Sequence, residues 1–253
     1  MENLNSEVIY LKFKHDMAEV VSSSANSAKN FLIEEGLDYD SLINSALSQI
    51  KEKTKKVNKN ADLSKGQLYF RRVVLAGEIA KQLHGEITFG HVKFQKLMFL
   101  SEKICKYNLK HRYLKQAAGP MDNKFMHSID REFKKQKWFE VKRVGAHNKF
   151  VYNPLPGLKK QENFYKSYYS TNHHKIQWLI DSFRSSRTHK VELVATLFAC
   201  WEDLKDENVI INENTLTNKL YQWSKEKSKY RSEEIQGAIK WMEENNLKPE
   251  SLY

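Results

Sequence analysis

The chain has 253 residues, a formal net charge of +11 and a hydrophobic content of 40%, enough for one large domain or two small ones with a buried core. No apolar run approaches the ~18 residues of a membrane span, and the opening MENLNSEVIYLKF lacks the basic-then-apolar order of a signal peptide. The two cysteines, Cys105 and Cys200, have no paired spacing, which argues against a disulfide framework or a zinc site and for a reduced, cytoplasmic compartment.

Residues 6–21 read as strand or helix: Val8, Ile9, Leu11 and Phe13 partly alternate, while Phe13, Met17 and Val20/Val21 favour a helix, and a serine break follows at Ser22–Ser24. Two more helices are expected at 26–35 and 39–55, separated by Gly36 as a C-cap. The lysine-rich run from Lys51 to Lys59 reads as a linker, which sets off residues 1–60 as an N-terminal helical segment. Residues 66–84 form an amphipathic helix with Leu68, Arg72, Leu75, Ile79 and Leu83 at helical spacing, ended by His84-Gly85.

Thr88 is placed to cap a helix over 91–108. Here Phe94, Leu97, Met98, Ile104 and Cys105 share one apolar arc, and Lys93, Lys96, Lys103 and Lys106 crowd the adjoining arc with Phe99 among them. One side of this helix must be buried, and the side next to it is expected to carry a row of ammonium groups. Gly119-Pro120 forces a turn. Asp122 then caps a helix over 123–137, with Phe125, Ile129 and Phe133 inward and Lys124, Arg131 and Lys135 outward. A hairpin led by Trp138 follows, with Lys142 and Arg143 on its first strand, a turn at Gly145–Asn148 and a return at Phe150–Tyr152. Pro154 and Pro156-Gly157 close this unit, giving a second domain over 66–157.

Residues 158–253 are read as a C-terminal helical bundle. Its helices fall at 159–169 and 173–184, at Val191–Leu204 capped by Thr188, from Asn212 or Asn214 onward with Leu216, Leu220 and Trp223, and last at a helix capped by Ser232. The expected fold class is therefore mainly α, with a central three-helix plus β-hairpin unit.

The charge is localised. Residues 91–187 carry 21 basic and 7 acidic side chains, net +14, while both ends of the chain are near neutral or acidic. Such an excess is the electrostatic footprint of a polyanion or an acidic partner.

The common catalytic signatures are missing from the sequence: a Gly-rich phosphate loop, His-Glu-x-x-His and a nucleophile elbow. One pattern has a chemical reading. Asp130 followed by Glu140-Val141-Lys142 is the acid, then Glu-x-Lys, of many metal-dependent nucleases, in which carboxylates hold the metal and the lysine orients water. The competing reading makes Glu140 and Lys142 the solvated face of a hairpin. The histidines do not form a ligand set, and neither a cofactor nor a metal is expected.

Three helices followed by a hairpin is the element order of a winged helix, which would make 122–137 the recognition helix and Gly145–Asn148 the wing. A family resemblance also enters. HVKFQKLMFLSEKICKYN followed by QAAGPMDNKFMHSIDREFKKQKWFEV resembles the Panacea (SocA-like) antitoxin domain. The matching positions are Lys93, Lys96, Leu97 and Phe99, then Gly119 and Pro120. The same block resembles a domain appended to type I restriction specificity-subunit-like proteins, where the run through Trp138 is closer still. The resemblance spans about 68–155. It implies a non-catalytic antitoxin-like, phage-defence or restriction-associated protein that engages a toxin or effector, with DNA as the alternative partner. The expected contact residues are Lys93, Lys96, Phe99, Lys103, Lys106, Lys124, Arg131, Lys135, Lys142 and Arg143, with Leu97, Gly119, Pro120 and Trp138 structural.

Overall fold

A computed structural model describes residues 63–109, 113–145 and 149–249, with isolated positions between 33 and 48. The chain divides into two compact units, Met1–Asp62 and Leu63–Tyr253. In the first, Gly36 has φ +74, the left-handed conformation of a C-cap glycine. The expected helix at 6–21 and the Lys51–Lys59 linker lie outside the described residues. The second unit is mainly α-helical, and it runs on through Pro156-Gly157, so the junction expected there falls inside it.

Helix α1 (Lys65–Leu83) opens with a reciprocal cap: the Ser64 hydroxyl accepts from Gln67 N, and the Gln67 side chain accepts from Ser64 N. Its stripe is buried as expected, Arg72 included. Helix α2 (His91–Ile104) is central and packs against α1 and three later elements. It stops four residues earlier than expected because Lys106 takes φ +53, which breaks the helical path. Gly90 is its N-cap; Thr88 instead accepts from the Lys93 ammonium at 2.8 Å.

A small hairpin follows, β1 (Leu114–Gln116) with β2 (Gly119–Met121). The Gly-Pro pair thus lies in a strand, and the reversal is made by Ala117-Ala118. Helix α3 (Asn123–Lys135) is capped by Asp122, whose side chain accepts from Phe125 N at 3.0 Å. The second hairpin pairs β3 (Phe139–Val144) with β4 (Lys149–Pro154), in register from Phe139 opposite Pro154 to Val144 opposite Lys149. Gly145 has φ +71; the rest of the expected wing turn lies outside the described residues.

The hairpin is fixed by its aromatic inner face. Trp138, Phe139 and Tyr152 are all but fully buried against Phe94 and Phe133. Removing each such side chain from water stabilises the fold by roughly 1.5–3 kcal/mol.

The C-terminal part contains α4 (Leu158–Tyr169), α5 (His173–Phe183), α6 (Thr188–Asp206), α7 (Glu213–Trp223) and α8 (Ser232–Glu244). Helix α6 is apolar over most of its circumference and packs against α2, α7, α8 and β2. Asn212 caps α7 reciprocally with Thr215. Thr188 and Ser232, expected as caps, are instead the first helical residues of α6 and α8. Among the described residues, no helix is long and apolar enough to cross a membrane.

Candidate partner-binding face

The expected ammonium row on α2 is corrected by the fold. Lys93 and Lys96 are fully buried, as is Phe99 but for 2%. Sequence periodicity places these lysines beside the apolar arc, but it does not show that α5 and α6 cover that arc too. Their stems run through the core and their amines end on backbone carbonyls. The Lys93 ammonium donates to Thr88 Oγ1, to Arg184 O at 2.8 Å and to Ser186 O at 3.0 Å. It therefore ties the start of α2 to the turn between α5 and α6. Burial lowers its pKa to about 8.

Lys96 Nζ donates to Pro120 O at 2.7 Å, and burial lowers its pKa to about 7, with Glu192 opposing and Lys227 reinforcing the shift. Gly119 makes that contact possible. It has φ +90, and a Cβ there would lie 2.5 Å from Thr196 Oγ1 and 3.5 Å from Lys96 Cε. Lys96, Phe99, Gly119 and Pro120 thus meet where α2, β2 and α6 pack, and Leu97 is fully buried on α2. Phe99 meets Tyr113 and Phe198 edge-on. None of the buried members has surface to offer a partner. Of the other two α2 lysines, Lys103 pairs with Glu202 at 2.8 Å, and Lys106 is exposed just beyond the helix end.

Two further buried ion clusters brace this body. Arg72 bridges Glu102 at 3.0 Å and Asp122 at 2.8 Å and lies over the Phe125 ring. Asp122 therefore caps α3 and also binds α1, while Gln95 of α2 donates to its carbonyl at 2.9 Å. In the C-terminal part, Glu192 accepts from Lys227 at 2.7 Å and Lys229 at 2.9 Å. Burial works to raise the Glu192 pKa, but the two lysines overcome it and hold the pKa low. Spacing placed Arg72 on a buried stripe, which was the available signal for its role; Glu192 had none, because its partners lie far along the chain.

The outer face of α3 is as expected. Lys124, His127, Arg131, Lys134 and Lys135 are exposed, with Phe125, Met126, Ile129 and Phe133 beneath them. Among the described residues, no carboxylate lies within ion-pair distance of Lys124, Arg131 or Lys134, and Lys135 reaches Glu132 only at 3.8 Å. Beside this face, Lys142 and Arg143 are exposed on β3, with Arg143 lying over the Phe150 ring.

The residues of the carboxylate pattern make contacts within the fold. Glu140 and Lys142 share a strand face and pair at 2.9 Å, and the hydrogen bond from Lys142 lowers the Glu140 pKa. Asp130 faces His91 at 3.5 Å, whose ring stacks on Phe150 with centroids 3.4 Å apart. These contacts fasten the hairpin to α2 and α3. Among the described residues, no group of three or more His, Cys, Asp or Glu is placed to hold a metal ion. A cleft of about 670 Å³ lies between the ends of α2 and α6, α5 and residues 245–249, and none of its lining residues is on α3 or the β3–β4 hairpin. No family model matches the chain, and no curated protein matches it.

Proposed function

We propose that this chain is a cytoplasmic, non-catalytic binding protein of the antitoxin-like or defence-associated kind, which holds an acidic or polyanionic partner on the outer face of α3 and the adjoining hairpin. One observation carries the reading: Lys124, Arg131 and Lys134 stand exposed with no carboxylate within ion-pair distance among the described residues, while Lys93 and Lys96 are buried inside the fold. Cations left unpaired on one face are available to an external anion. The Panacea resemblance supports a toxin or effector protein as the partner. DNA is the second reading, supported by the order of three helices and a hairpin with basic side chains on the third helix.

Co-expression with the product of the neighbouring gene tests this. The two proteins are expected to co-purify, and Lys124→Glu with Arg131→Glu is expected to release the partner while leaving the thermal unfolding curve in place. Failure of the parent chain to retain that product, or retention by the charge-reversed variant, overturns the protein-partner reading.

A further inference from the structure

The cations of α3 continue onto a second helix. Lys137 ends α3 with φ +56, and its carbonyl accepts from Gly157 N at 2.8 Å. A Cβ at Gly157 would lie 2.6 Å from Gln136 O and 2.7 Å from Lys137 O, so only glycine lets these two backbones meet. The contact sets the C-terminal end of α3, with Lys134, Lys135 and Lys137, against the first turn of α4, with Lys159 and Lys160. All five lysines are exposed. Among the described residues, Lys134, Lys137, Lys159 and Lys160 have no carboxylate within ion-pair distance.

This arrangement is unfavourable for the chain alone. Lys159 and Lys160 add positive charge at a helix N-terminus, which is itself positive, and no acid stands in that turn. Chemistry also separates two kinds of partner. Protein interfaces centre on buried apolar and aromatic side chains and are depleted in lysine, whereas nucleic-acid interfaces are polar and strongly positive. Helix α3 exposes no large hydrophobic side chain, and α4 exposes only Phe164, already packed edge-on against Phe70 at 5.1 Å.

Building on the second, DNA reading above, we infer that this ridge, with Lys124 and Arg131, grips the sugar–phosphate backbone of a DNA duplex without reading its sequence. From Lys124 to Lys135 α3 spans about 16 Å at the helical rise, so the ridge extends over several phosphates.

Fluorescence anisotropy with a short labelled DNA duplex of arbitrary sequence tests the inference. Binding is expected at about 50 mM salt and is expected to fall steeply toward about 200 mM. Lys134→Ala with Lys159→Ala and Lys160→Ala should flatten the log–log salt slope by about 0.9 for each phosphate no longer neutralised, about 2.7 in all. The corresponding three-arginine variant should keep the parent slope, which separates removal of charge from damage to the fold. No binding at low salt, an unchanged slope in the alanine variant, or polyglutamate competing as well as unlabelled duplex overturns the inference. If the neighbouring gene's product is still lost on Lys124→Glu with Arg131→Glu in that case, the binding role survives and only the duplex assignment fails.

Discussion

Gly119→Ala probes the junction that the motif residues build. An alanine held at φ +90 pays roughly 1–3 kcal/mol of backbone strain. Its Cβ would sit 2.5 Å from Thr196 Oγ1, and relieving such overpacking costs about 1–3 kcal/mol. Displacing β2 also draws Pro120 O away from Lys96 Nζ, which lies 3.6 Å from that Cβ. These effects overlap, so the expected loss is about 2–5 kcal/mol, a large part of a typical domain stability of about 5–15 kcal/mol. Urea unfolding is the assay, with a lowered midpoint and an unchanged slope as the signature of lost stability. Adding Thr196→Ala removes the clashing hydroxyl and should restore the packing share but not the backbone share. A Gly119→Ala protein within about 0.5 kcal/mol of the parent would refute the reasoning, because it would place the change among ordinary surface substitutions.

Three further outcomes follow from the buried charges and the aromatic face. Burial lowers the Lys96 pKa from its ordinary 10.5 to about 7, so between those values the unfolded chain binds a proton that the folded chain does not. Stability should therefore rise with pH from about 7 toward 10.5, and Lys96→Met should flatten that rise in pH-dependent unfolding. Arg72→Ala removes the buried cation shared by Glu102 and Asp122, which keep their donors Tyr113 and Phe125 N, and should cost about 3–5 kcal/mol by chemical denaturation. Trp138→Ala opens a cavity against Phe133 and Phe70 and should cost about 3–5 kcal/mol by the same measurement.

Periodicity made the helices legible because apolar residues at helical spacing report burial directly. Thus α1, α3 and α6 fall close to their expected bounds, Asp122 caps as its side chain predicts, and of the two candidates Asn212 and Asn214 it is Asn212 that caps. The same pattern misread α2. A lysine next to an apolar arc looks identical whether its amine reaches water or a carbonyl 24 residues away, as that of Lys96 does. The β1–β2 hairpin was hidden for a related reason: Gly-Pro signals a turn locally, but here Gly119 is needed for close approach to Thr196, a meeting set by α6. On the candidate face, α3 was readable from its outward lysines. Lys159 and Lys160 were not, because only the fold brings α4 against Lys137.

The proposed division of labour is that Lys93 and Lys96 hold the fold and the α3 cations hold the partner. Duplex-DNA affinity of Lys96→Met, measured at about 50 mM salt beside Lys124→Ala with Arg131→Ala, tests it most directly. The account predicts that folded Lys96→Met binds like the parent, while the α3 pair binds several-fold more weakly at undiminished stability. Loss of affinity in Lys96→Met with the α3 pair unaffected would contradict it.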